Sequence, residues 1–232
     1  MTAILSNLQA TREAVAKATI EARRAVGEVQ LLAVSKTFPA MAVREAYQGG
    51  QLAFGENYLQ EALDKMALLN DLPLEWHFIG PIQSNKTRPI AENFAWVHGV
   101  DRLKVAQRLS EQRPANLPPL NICLQVNVSG EESKSGVAID EAAQLAQEIS
   151  RLPHLKLRGL MSIPAPAAGE TEQRAAFARM RLLLEELNEQ GLSLDTLSMG
   201  MSHDFPAAIK EGATIVRIGT AIFGVRKYGE KT

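Results

Sequence analysis

Apolar and polar positions along the chain fall into short apolar runs separated by longer amphipathic stretches. Eight runs have the length and the β-branched or aromatic content of strands: VQLLAVS (29–35), QLAFG (51–55), EWHFIG (75–80), AWVHGVD (95–101), NICLQVNV (121–128), LKLRGLMSI (155–163), TLSMGMS (196–202) and TIVRIGT (214–220). Several are almost continuously apolar, the pattern of strands covered on both faces. Helical spacing fills the gaps. Residues 56–69 set Leu59, Leu63 and Met66 on one face, residues 140–152 set Leu145, Ile149 and Leu152, and residues 172–190 set Phe177, Met180, Leu184 and Leu187. Ahead of the first strand, residues 3–25 predict one more amphipathic helix, with Ile4, Leu8 and Val15 aligned.

Strands alternating with helices imply a parallel sheet with crossover helices, and eight strands are enough to close a barrel. The rival is an open doubly wound sheet. It calls for a G-x-G-x-x-G turn after an early strand, which this sequence lacks. The stretches RPANLPP (113–119) and IPAPAAG (163–169) read as loops, and no linker divides the chain. Residues 1–232 are therefore expected to form a single α/β domain, a (β/α)8 TIM barrel with an additional N-terminal helix.

Composition narrows the function classes. A hydrophobic content of 46% suits a sizeable core, and a net charge of −1 lacks the basic footprint of a nucleic-acid binder. The single cysteine, Cys123, excludes an intramolecular disulfide and fits a reducing cytoplasm. The first residues lack the apolar core of a signal peptide, and no apolar run approaches the ~18–20 residues that span a bilayer. A cytoplasmic, monomeric chain without nucleic-acid or membrane partners is expected.

The catalytic face of such a barrel is the carboxyl end of its strands, so the chemistry should lie in the residues that end them. The first strand runs into Ser35-Lys36-Thr37. A lysine there reads in two ways: a solvated side chain opening a loop, or a desolvated amine nucleophilic toward carbonyls. The last two strands run into Met199-Gly200-Met201-Ser202 and Arg217-Ile218-Gly219-Thr220. Loops after strands seven and eight commonly build a phosphate site from backbone N–H groups and small residues. On that reading Gly200 and Gly219 permit close approach, while Ser202 and Thr220 offer hydroxyls and helix caps; otherwise these are only turn and cap residues. Asn57, in Phe54-Gly55-Glu56-Asn57-Tyr58, could meet a ring oxygen and Tyr58 could line the pocket, or Glu56 and Asn57 could simply start the next helix. Gln83-Ser84-Asn85-Lys86 is a polar loop at the same rim. His77, His98, His154, His203 and Cys123 show no metal-ligand spacing, and a histidine on a strand reads as a packed residue.

Taken in order, LLAVSKT, FGENY, WHFIGPIQSNK, SKSG, RGLMSI, SMGMSHD and RIGTAIFG resemble the pyridoxal phosphate homeostasis proteins, single-domain relatives of the alanine racemase barrel. The resemblance covers residues 31 to 224. It implies pyridoxal 5′-phosphate as cofactor, held as a Schiff base on Lys36. It further implies phosphate contacts from Ser202, Gly219 and Thr220 with Gly200 and Met201 nearby, Asn57 near the cofactor, and Arg217 at the pyridine nitrogen. A guanidinium there only donates, keeps that nitrogen unprotonated and makes the ring a poorer electron sink. Alanine racemase serves one face of its substrate with a tyrosine from a C-terminal β domain. Here the barrel is complete near Thr220, Tyr228 lies in the tail, Gln125 on the fifth strand is neutral, and no C-terminal β domain is expected. The implied role is cofactor buffering and delivery, indirectly affecting amino-acid and keto-acid pools, with no catalytic residue assigned. Dependent apoenzymes are the implied recipients, and free amino acids are possible ligands. A racemase-like enzyme of unknown substrate is the alternative, and a barrel enzyme for another phosphorylated metabolite is a third reading.

Overall fold

The structure, a computed structural model, describes residues 2–131 and 134–225. Eight parallel strands close in sequence order: β1 (Gln30–Val34), β2 (Ala53–Glu56), β3 (Glu75–Phe78), β4 (Trp96–Val100), β5 (Leu120–Gln125), β6 (Leu155–Met161), β7 (Thr196–Ser198) and β8 (Ile215–Ile218). Closure is made by β1 against β8, with Leu32 opposite Arg217 and Ala33 opposite Ile218. The barrel expected from the alternating pattern is the one observed, and the open sheet is excluded.

Around it lie α1 (Ala3–Glu21), α2 (Ala40–Gln48), α3 (Leu59–Leu68), α4 (Thr87–Asn93), α5 (Leu103–Gln112), α6 (Ile139–Ser150), α7 (Glu170–Glu189), α8 (Phe205–Lys210) and α9 (Thr220–Phe223). The expected N-terminal helix is α1. It ends at Glu21 rather than residue 25 because the chain turns through left-handed backbone at Arg23 and Gly27. It packs against α8 and α9, with Leu8 and Val15 buried and Asn7 Nδ2 donating to the Ile222 carbonyl at 3.2 Å. The helix following β8 is a single turn, so α1 covers the seam where β8 meets β1.

Period-two alternation divides the apolar residues into two compartments. Leu32, Val34, Ala53, Ile79, Trp96, Cys123, Met161 and Ile215 form an inner cluster, and the larger cluster fills the layer between strands and helices. Burying each large side chain of that outer layer contributes about 1.5–3 kcal/mol. Seven of the eight strands stop short of their expected ends, β7 and β5 by the most. β7 ends at Ser198 because Gly200, at φ +93°, turns the chain away, and β5 ends at Gln125, beyond which a single bridge joins Val126 to Val137. Tyr228 and the first residue of the SKSG motif, Ser133, lie outside the described residues.

Candidate functional site

Lys36 lies in the turn just past β1, half-buried between buried Ser35 and exposed Thr37. This turn is tightly held. Ser35 N–H extends the ladder to the Gly55 carbonyl at 3.1 Å, while Thr37 has φ +69°, a conformation costly for a β-branched residue. The support comes from a buried charge cluster in the layer between β2 and α3. Glu56 Oε1 accepts from the Ser35 hydroxyl at 2.6 Å and from Lys65 Nζ at 2.7 Å. Lys65 Nζ also donates to the Ser35 carbonyl at 2.8 Å and pairs with Glu61 at 2.6 Å. Glu61 Oε1 in turn accepts from Thr37 N–H at 2.6 Å. Peptide groups on both sides of Lys36 are thus tied to one cluster. Burial pushes the Glu56 carboxyl above the usual carboxylate range, opposed by Lys65.

Sequence reasoning did not foresee this cluster. Glu56 is the last residue of β2, and α3 begins only at Leu59. Of the expected helix face, Leu59 and Met66 pack at the core margin, while Ala62 and Lys65 are the residues α3 buries.

Lys36 lines a cavity of about 230 Å³ at the carboxyl end of the barrel, together with Asn57, Met201, Ser202, Arg217, Gly219 and Thr220. Of the residues expected at the site, Gly200 and Tyr58 are absent from its wall. Gly200 is required elsewhere: it has φ +93°, a Cβ there would lie 2.7 Å from Ala208 Cβ, and its carbonyl accepts from Arg217 N–H at 2.9 Å. At Gly219 a Cβ would sit 2.9 Å from the Val34 carbonyl, so this glycine lets β8 pass close to β1. Ser202 and Thr220 are not caps, since the N-cap positions of α8 and α9 belong to Asp204 and Gly219; both residues line the cavity instead. Tyr58 is 54% exposed and faces a neighbouring cleft with Gln83 and Lys86, not this cavity. Asn57 lies just past β2, and its buried Oδ1 has no hydrogen-bond partner.

The remaining wall is Val34, Ile79, Ile163 and the exposed His203. His203 sits in the SMGMSHD run, where its spacing from the other histidines marks no metal site and gives no sign of the cavity. Asn57, Ile79 and Ile163 also border a second chamber of about 210 Å³, lined further by Gln125, Lys134 and Ser135.

Arg217, pointing inward from β8, is 5% exposed. Its Nη1 donates to the Ser198 carbonyl at 2.6 Å and the Ser198 hydroxyl at 2.7 Å, and its Nη2 to the Ser162 carbonyl at 2.8 Å. Burial pushes the guanidinium down to about 10, so it remains a cation at neutral pH. The opposite effect acts on Cys123, also inside the barrel, whose thiol burial raises to about 12.

The model of the family described as alanine racemase, N-terminal domain, matches residues 7–227. The pyridoxal phosphate homeostasis protein of Pseudomonas aeruginosa is 65% identical over 229 residues, covering 99% of this chain and 98% of that protein. Its namesake from Escherichia coli is 50% identical over 234 residues, with both chains covered to 100%. Among solved structures, PipY of Synechococcus elongatus with PLP bound has a TM-score of 0.80 at 41% identity, covering 90% of this chain and 100% of that one. Alanine racemase from Corynebacterium glutamicum shares the fold alone, with a TM-score of 0.72 at 19% identity over 99% of this chain and 63% of that one. With a racemase-type barrel and relatives of this identity along its length, the chain belongs to the family of pyridoxal phosphate homeostasis proteins.

Proposed function

We propose that this chain binds pyridoxal 5′-phosphate covalently through Lys36 and acts as a carrier of the cofactor rather than as a fast enzyme. The observation that carries this reading is a single cavity lined at once by an amine, a buried guanidinium, an amide and a hydroxyl-bearing rim. The residues fit the group. Asn57 Oδ1 is a buried acceptor without a partner, suited to the ring hydroxyl. Ser202 and Thr220 would hold the phosphate from the rim, together with the backbone N–H groups at Gly219 and Thr220.

When bound, the cofactor supplies an aldehyde that condenses with amines and a ring that withdraws electrons. Lys36 supplies the amine from a turn fixed on both sides. Arg217 would donate to the ring nitrogen and, as a cation at neutral pH, would leave it without a proton. His203, which also lines the cavity, is exposed to water and lacks the dry setting that strengthens electrostatic catalysis. The names of the relatives support the same role. The whole chain forms one domain on this reading, with the cavity at its open end.

Borohydride treatment followed by peptide mass mapping tests the attachment. The cofactor mass should appear on the Lys36 peptide and vanish in Lys36→Ala; trapping on Lys86 or Lys134 with Lys36 unmodified overturns the assignment. The carrier role predicts transfer to an apoenzyme and no more than slow α-proton exchange with L-amino acids in deuterated water. Turnover on the order of 1 s⁻¹ with any of them, ordinary for an enzyme, would favour the racemase-like alternative.

A further inference from the structure

Barrels of this class fill their interior with layers dominated by branched aliphatic side chains. This one places His77, His98 and Ser198 inside, each 0% exposed. They connect end to end. Arg217 Nη1 lies 2.7 Å from Ser198 Oγ, which lies 2.7 Å from His98 Nδ1. His98 Nε2 lies 2.9 Å from His77 Nδ1, and His77 Nε2 lies 2.8 Å from Glu75 Oε1. Glu75 begins β3, so it stands half-buried at the end of the barrel opposite the cavity.

The direction of the bonds follows from the donors each group possesses. The Glu75 carboxyl is held below the usual carboxylate range, chiefly by its hydrogen bond from His77, with Gln30 and the charge of Arg158 adding to it. An ionised carboxylate only accepts, so His77 Nε2 carries a proton and donates. Burial pushes His77 down despite Glu75, and pushes His98 well down, with the Arg217 charge, and any charge His77 were to take, acting in the same direction. Both rings are therefore neutral, each with one donor and one acceptor nitrogen. His77 Nδ1 must then accept from His98 Nε2–H, and His98 Nδ1 must accept from the Ser198 hydroxyl. Ser198 Oγ accepts from Arg217. The reverse order would set a bare His77 nitrogen against a carboxylate. Packing holds the rings in place: His77 stacks on Trp96 at 5.4 Å and 4°, and Arg158 covers the Trp96 ring at 4.8 Å. Asp204 and Cys123 are the other titratable groups acting on Arg217.

We propose that Ser198, His98, His77 and Glu75 form a one-directional hydrogen-bond chain through the barrel that positions the Arg217 guanidinium in the cavity. Each donor polarises the next, so a carboxylate at one end of the barrel strengthens the hold on a cation at the other. The order of protons stands by itself; only its effect on ligand affinity rests on the cofactor reading.

Two-bond ¹H–¹⁵N correlation spectra of the ligand-free, histidine-labelled chain test the order. Both rings should appear neutral and protonated at Nε2. Glu75→Gln keeps an acceptor oxygen and should keep that pattern, whereas Glu75→Leu should release His77 into a mixture of tautomers. The Arg217 Nη–H signals should be resolved in the parent chain and broadened in Ser198→Ala. Affinity for pyridoxal 5′-phosphate, followed by fluorescence, should fall about tenfold in Ser198→Ala, as expected for loss of one hydrogen bond to a charged group, and by less in Glu75→Gln, which keeps the acceptor oxygen but loses the charge. Should Ser198→Ala fail to fold, Glu75→Leu at the half-exposed end carries the same Arg217 readout. A proton on Nδ1 of either ring, an imidazolium at neutral pH, or Arg217 signals indifferent to both variants overturns the chain. A parent protein that takes up no cofactor overturns the cofactor reading, while the tautomer and Arg217 signals still decide the chain.

Discussion

Lys36 and Arg217 both bring a cationic side chain to the cavity, yet the barrel supports them by opposite means. The support of Lys36 lies outside the sheet, between β2 and α3, and is built of full charges: Glu56, Lys65 and Glu61. It grips peptide groups, through the Ser35 carbonyl and Thr37 N–H. The support of Arg217 lies inside the barrel, passes through neutral groups as far as Glu75, and grips the guanidinium itself. On the proposed function the difference matches two tasks: a residue that forms and breaks a bond needs a fixed base, whereas a residue that only donates hydrogen bonds needs a fixed tip. Charges suit the first support because they lock backbone; neutral rings suit the second because another charge in the barrel interior would have to be desolvated.

The largest expected effect tests the charged side. Lys65→Met leaves the Glu56 carboxyl, 0% exposed, without its cation, and stability in urea should fall by about 3–5 kcal/mol. Adding Glu56→Leu should recover most of that loss, since an apolar pair of similar volume often replaces a buried ion pair at little cost. The double variant should nonetheless attach the cofactor more slowly, because Ser35 and Thr37 lose part of their anchor. Equal instability of single and double variants would show that the cluster serves folding more than placement.

A smaller effect tests the neutral side. The folded-state values of His77 and His98 are lowered by burial, so the unfolded chain binds more protons below the ordinary histidine value of 6.5. Stability should therefore be full above that value and fall as pH drops below it, by at most ~1.4 kcal/mol per pH unit per ring. The lowered Glu75 carboxyl adds a loss of the same sign further into acid. Thermal unfolding between pH 7 and 4 measures the slope, and His98→Gln should flatten it. An unchanged slope would mean that His98 is already charged in the folded protein.

The barrel was legible because strands covered on both faces are written as continuous apolar runs, and all eight appear in their expected order. The cavity was legible because the carboxyl ends of strands converge, which brought Lys36, Asn57, Ser202, Arg217 and Thr220 to one wall. The two supports were not. Glu56 and Lys65 resemble the ordinary charged residues of a helix start and its solvent face, and only packing of α3 on β2 makes them a pair. His77 and His98 were each read correctly as packed strand residues, but their contact depends on the stagger that sets His77 opposite Trp96. Gly200 and Gly219 also make room for Ala208 and Val34 within the protein itself, a close packing between distant segments that no local sequence pattern displays.

The burial of Cys123 carries a chemical consequence of its own. A thiolate adds reversibly to an aldehyde to give a hemithioacetal, so an accessible sulfur anion would compete with an amine for the same carbonyl. The sole sulfhydryl of the chain lies 0% exposed inside the barrel, with its proton held to about pH 12. An aldehyde entering the mouth of the barrel would thus meet nitrogen nucleophiles and no sulfur anion.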